Sequence, residues 1–116
     1  MDYILGVGII YKLNQRKSMK NALEIVIYKI QEGVTDEDFI KAAGEMEENF
    51  AKKQEGFIKR TFAKSENGDW IDVLYWETMD NAMRASEEAM KSPACAPMFG
   101  MLDSENIKMH HFEILS

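Results

Sequence analysis

From Ala22 to Leu115 the spacing of apolar residues switches repeatedly between two and about 3.6. Ala22 to Ile30 carries Leu23, Ile25 and Ile27 on one face and Val26, Tyr28 and Ile30 on the other. A half-buried strand would keep one face polar. This run does not, and it predicts a central strand covered on both sides. Gln31-Glu32-Gly33 ends it. Thr35, three residues before Asp38, opens a helix with a capping-box-like start. Phe39, Ala43, Met46 and Phe50 recur at helical spacing to about Lys53, and Gly56 is a plausible stop. Phe57 to Lys64 and Trp70 to Trp76 read as two strands joined at Asn67-Gly68, a hairpin signal. Thr78 or Asp80 caps a second helix, along which Met79, Met83, Ser86 and Met90 form one row with Ala82, Ala85 and Ala89 beside it. Pro93 ends that helix. Residues 93–102 read as an apolar loop or short helix, and Ile107 to Leu115 as the last strand.

The order strand-helix-strand, twice over, predicts an α+β, ferredoxin-like βαββαβ domain with a four-stranded antiparallel sheet and two helices on one face. Two helices cover one face only. Side chains alternate along a strand, so Leu23/Ile25/Ile27 and Val26/Tyr28/Ile30 point to opposite faces. One set must meet something other than a helix, and a second copy of the same sheet in a symmetric homodimer is the economical partner. Residues 21–116 form this domain. Residues 1–20 read as an N-terminal arm or extra strand with a polar linker, Met19 being an alternative start. Ile4 to Leu13 is too short to span a bilayer, and the segment lacks the basic opening of a secretory leader.

The 116 residues fit one domain, and 46% hydrophobic residues suffice for one core. A net charge of −6 disfavours a nucleic-acid surface, and the four cations between Lys12 and Lys20 fall in the linker. No membrane role is expected. Cys95 is the sole cysteine, so an internal disulfide is ruled out and a reducing, cytoplasmic setting is the default. It reads as a small apolar filler with no base beside it in sequence. Nine methionines suit either a core or an adaptable apolar pocket or interface.

Several segments carry a resemblance: Glu24-Ile25-Val26-Ile27-Tyr28, Gly56-Phe57-Ile58-Lys59-Arg60, the run Trp70 to Ala82, and the loop from Ser92-Pro93 to Phe99. Over about residues 22–115 the chain resembles the dimeric α+β barrel superfamily, which includes the antibiotic-biosynthesis-monooxygenase-like proteins. The resemblance implies a homodimer formed through the sheet face. It also implies a cofactor-independent monooxygenase-like activity on a small aromatic or apolar substrate held between sheet and helices. The alternative is a non-enzymatic dimer that binds a small ligand or a partner. Haem-degrading members use an asparagine on the first strand, a tryptophan on the third and a histidine on the second helix. Residues 22–30 contain no Asn and the second helix no His, so the resemblance does not extend to haem degradation. No cofactor and no metal are expected.

Candidate chemistry is confined to a few positions. His110 and His111 are adjacent on the last strand, so alternation sends them to opposite faces and they cannot share a metal. Either would serve as a base, as would Tyr28, though a strand histidine is more often a satisfied core or interface residue. Acidic residues inside strands are less ordinary. With the first and third strands taken as parallel and the last antiparallel beside the first, Glu24, Asp72 and Glu113 gather at one end of the sheet. If they share a face, one gains a raised pKa and becomes a base, or with His111 they bind a cation. The plainer alternative pairs them with Arg60, Lys108 or water. The candidate catalytic residues are therefore His110, His111, Tyr28 and Asp72. The candidate ligand-binding residues are Trp70, Trp76, Tyr75, Phe112 and Met83. Tyr28 and Phe62 complete the aromatic set, whose other reading is plain core packing.

Overall fold

The double-sided apolar run Ala22–Ile30 forms β1, at the interior of a four-stranded sheet. The computed structural model describes residues 20–116, so the arm expected over residues 1–20 lies almost wholly outside the described residues. In chain order the further elements are α1 (Asp36–Asn49), a 3-10 turn (Ala51–Lys53), β2 (Phe57–Lys64), β3 (Trp70–Trp76), α2 (Met79–Ala89), the short α3 (Ala96–Gly100) and β4 (Leu102–Glu113). The sheet order is β2-β3-β1-β4, and every neighbouring pair is antiparallel. This corrects the parallel reading of the first and third strands. The helix after β1 returns the chain to the end where β1 began, so β2 runs in the direction of β1 and the hairpin then reverses β3. β4 begins at Leu102 rather than Ile107. Asp103 to Asn106 look like loop in sequence, but an edge strand can stay polar because one side of its ladder faces water.

Local chemistry sets the element ends. Thr35 Oγ1 accepts the Asp38 backbone N–H at 3.1 Å, and Asp36, Glu37 and Asp38 place negative charge at the positive end of α1. Thr78 does the same for α2 through the Asn81 N–H, also at 3.1 Å. Gly68 closes the β2–β3 hairpin with φ +87°. Gly56 is constrained twice: its φ is +84°, and a Cβ there would run into the Asn81 side chain. Its carbonyl accepts the Glu77 N–H at 2.7 Å, which ties the start of β2 to the approach of α2.

The helices pack on the face of the sheet that carries Tyr28, Trp70, Leu74 and Trp76. α1 buries Phe39, Ala42, Ala43 and Met46 against it. At one end Phe39 meets Tyr28 and Trp70 edge-on, and Phe62 stacks on Trp70 with centroids 5.5 Å apart. α2 buries Ala82 and Ala85; of its methionine row Met79 packs part-buried against the core, whereas Met83 and Met90 are exposed. The opposite face carries Leu23, Ile25, Ile27, Ile71, Val73 and Tyr75 from the two central strands. Among the described residues no helix covers it, and Ile27 and Phe112 are exposed there.

Candidate functional site

An apolar cavity of about 320 Å³ lies between the sheet and the helices. That is within the range of small-ligand sites. β1 contributes Glu24, Val26 and Tyr28, and β3 contributes Asp72, Leu74 and Trp76. These alternate residues share a face because Glu24 stands opposite Leu74 and Val26 opposite Asp72 in the antiparallel ladder. Met46, Met98 and Met109 line the walls, and Met90 stands at the exposed end of α2. Flexible thioethers make such walls adaptable.

Two carboxylates are buried at this cavity, Glu24 and Asp72. Asp72 is fully engaged. Its Oδ1 takes the Arg60 Nε–H at 2.5 Å, and its Oδ2 takes the Tyr28 hydroxyl at 2.7 Å. Arg60 also donates to Glu47 at 3.0 Å and to the Ala43 carbonyl at 3.2 Å, and it lies over the Phe62 ring. Burial opposes the Arg60 charge, but Asp72 and Glu47 outweigh it and its pKa is raised. Burial and the Asp72 charge hold Tyr28 well above the ordinary phenol range, so it stays a neutral phenol. Its proton goes to Asp72, so toward other groups, Arg60 among them, its oxygen acts as an acceptor.

Glu24 is differently placed. Burial pushes its pKa up to about 7, against the Trp76 indole hydrogen bond, which favours the charged form; the Asp72 charge adds to the rise. The indole N–H donates to Oε1 at 3.1 Å. His111 stands opposite Glu24 across β1–β4, with Nε2 3.7 Å from Oε1 and no hydrogen-bond partner. Burial lowers the His111 pKa. The pair is therefore close without being an ion pair near neutrality: an acid reluctant to lose its proton faces an imidazole reluctant to gain one. Ser86 on α2 also lines the cavity, and its buried hydroxyl has no partner.

Of the residues singled out from the sequence, Tyr28, Asp72 and Trp76 meet at the cavity. His111 lies on the same sheet face, behind Glu24 and outside the lining. His110 stands opposite Ile25 on the uncovered face, stacked on Phe112, and Tyr75 is on that face too. Trp70 is buried in the aromatic cluster at the end of the sheet, and Met83 is exposed on α2. Glu113 stands opposite Ala22, toward the strand end beyond Glu24. Among the described residues no three His, Cys, Asp or Glu side chains converge to hold a metal ion. Cys95 is buried and its thiol pKa is raised by burial, the setting of a packing residue. Sequence reasoning missed Ser86 as a cavity residue and gave Glu24 no role of its own. The signal for Glu24 was present: a carboxylate inside an otherwise apolar central strand.

Comparison with solved structures places the fold. SnoaB from Streptomyces nogalater, a cofactor-independent oxygenase, superposes with a TM-score of 0.68 at 12% identity, over 84% of this chain and 95% of that one. An antibiotic biosynthesis monooxygenase-like protein from Bordetella bronchiseptica gives 0.69 at 20% identity, over 84% and 99%. A dimeric ferredoxin-like protein of unknown function from Thermobifida fusca gives 0.65 at 13% identity, over 84% and 93%. The chain shares its ferredoxin-like fold with these three proteins. No protein-family model matches the chain, and no curated protein matches it. Among the described residues no helix is long and apolar enough to cross a membrane.

Proposed function

We propose that the chain is a homodimeric, cofactor-independent monooxygenase-like enzyme acting on a small aromatic or apolar substrate in the cavity between sheet and helices. The observation that carries this reading is Glu24: a carboxyl near neutral pKa, at the wall of an apolar cavity, with an indole on one oxygen and an imidazole nearby. A general base works best when its pKa is close to the working pH. Ionised Glu24 takes a proton from an acidic C–H of the substrate, and His111 passes that proton toward solvent. The substrate carbanion gives up its electrons to O₂. A hydroperoxide forms and loses water, so that CH₂ plus O₂ yields C=O plus H₂O. Tyr28, oriented by Asp72, holds a donor group of the substrate through its oxygen as acceptor.

The uncovered apolar face, with Leu23, Ile25, Ile27, Val73 and Tyr75, supports pairing of two copies sheet to sheet. The dimeric T. fusca neighbour supports self-association as well. Residues 21–116 form the paired domain, residues 1–20 an appended arm, and the cytoplasm is the proposed compartment.

Oxygen uptake and Trp fluorescence, followed together over a panel of quinols and related phenols, test the activity. Uptake that disappears in Glu24→Gln while binding persists supports the enzyme. Binding without uptake for any ligand turns the reading into a carrier. Sedimentation tests the assembly: a dimer that Ile27→Asp converts to monomer is expected, and a wild-type monomer at every concentration sinks the sheet-face pairing.

A further inference from the structure

The charges around the cavity are lopsided. Among the described residues its ionisable lining groups are Glu24, Asp72 and Tyr28, and no Lys, Arg or His side chain lines it. The buried Arg60 is outside the lining and is clamped between Asp72 and Glu47. Its charge is thereby matched by carboxylates of the protein. His111 is also outside the lining, and burial disfavours its charged form. An anion entering this cavity would lose its water, meet no cation, and face Glu24. A desolvated anion without a partner is strongly disfavoured, and a like charge beside it makes matters worse. A group that offers a proton meets the reverse situation. The second Glu24 oxygen and the Tyr28 oxygen are acceptors, and Ser86 has a hydroxyl with no partner of its own.

We infer that the cavity selects uncharged ring ligands that carry a hydrogen-bond donor, such as a phenol, and rejects their carboxylate counterparts, with Glu24 as the residue that sets this selection and Ser86 as a second polar contact. This rests on the reading of the cavity as the substrate site. It adds a rule of charge and polarity that neither the fold nor the oxygenase reading requires.

The test uses three probes with one ring system: naphthol, naphthoate and naphthalene. Binding to the full chain is read by quenching of Trp fluorescence at pH 8, where Glu24 is mostly ionised. Naphthol is expected to bind most tightly, with naphthoate weaker by about tenfold or more. Glu24→Gln is expected to recover most of the naphthoate deficit, and Ser86→Ala to weaken naphthol about threefold while leaving naphthalene unchanged. Naphthoate binding as tightly as naphthol overturns the inference. So does naphthalene binding as tightly as naphthol, or no binding of naphthol at all. None of these measurements needs turnover. Failure of oxygen uptake with the affinity order intact removes the oxygenase reading alone; a levelled or reversed order with uptake intact removes the selection rule alone.

Discussion

Glu24 and Asp72 occupy nearly equivalent places. They lie on neighbouring central strands, on the same face, at the same cavity, and both are almost fully buried. Their surroundings differ. Asp72 has a guanidinium and a phenol, one on each oxygen. Glu24 has one indole N–H and a histidine that burial keeps from charging. Burial is therefore a poor guide to what a carboxylate is for, and its partners are a better one. Asp72 is tied into the frame between sheet and α1 through Arg60, whereas Glu24 retains a proton that it can exchange near neutrality.

Breaking the frame is the largest expected effect. Asp72→Ala leaves the buried Arg60 with Glu47 as its remaining carboxylate partner, and a loss of about 3–5 kcal/mol in urea unfolding is expected. A loss below 1 kcal/mol would mean that the two carboxylates are alike after all. Glu24→Gln should act in the other direction on stability. The folded pKa of Glu24 is raised from 4.5 to about 7, so the folded state holds this proton more firmly than the unfolded chain. That contribution is fully present below pH 4.5 and is lost as pH rises through 7. The difference between wild type and Glu24→Gln in unfolding free energy from urea titration should thus shift by about 2–3 kcal/mol from pH 4 to pH 8, in favour of the variant at high pH. A flat difference would place the Glu24 pKa near its ordinary value. In turnover the same substitution should cost about 100-fold in kcat, measured by oxygen uptake, with KM little changed. The smallest effect is expected from Trp76→Phe. It removes the one hydrogen bond that favours the Glu24 anion, so the acidic limb of the kcat–pH profile should move to higher pH, at a stability cost of about 1 kcal/mol.

The frame was easier to read from sequence than the exchange site. β1 follows from its double-sided apolar run, β2 and β3 from their strand-like runs about Asn67-Gly68, and α1 ends at Asn49 only because its last expected turn tightens into the 3-10 turn. Arg60 was visible as a partner for a strand carboxylate. Which carboxylate it takes was not, because that depends on cross-strand register: Arg60 stands opposite Leu74 and reaches diagonally to Asp72. Trp70 and Trp76 illustrate the same limit. They share a face of one strand, yet the first is packed under Phe39 and Phe62 while the second lines the cavity. Periodicity reports which face a side chain takes, and it carries no information about where along that face the packing leaves a gap.

That gap has an identifiable author in α2. The side it turns to the sheet is built from Ala82, Ala85, Ser86 and Ala89, and the last three line the cavity. Replacing Ala85 or Ala89 with leucine would leave the helix pattern and the strand register as they are while filling the void. The chain thus separates two properties that usually travel together. Its architecture is written in the alternation of the strands, and its capacity to hold a guest is written in the smallness of a few side chains on one helix. Those few positions are the dial on which related chains could gain, lose or reshape a binding site without refolding.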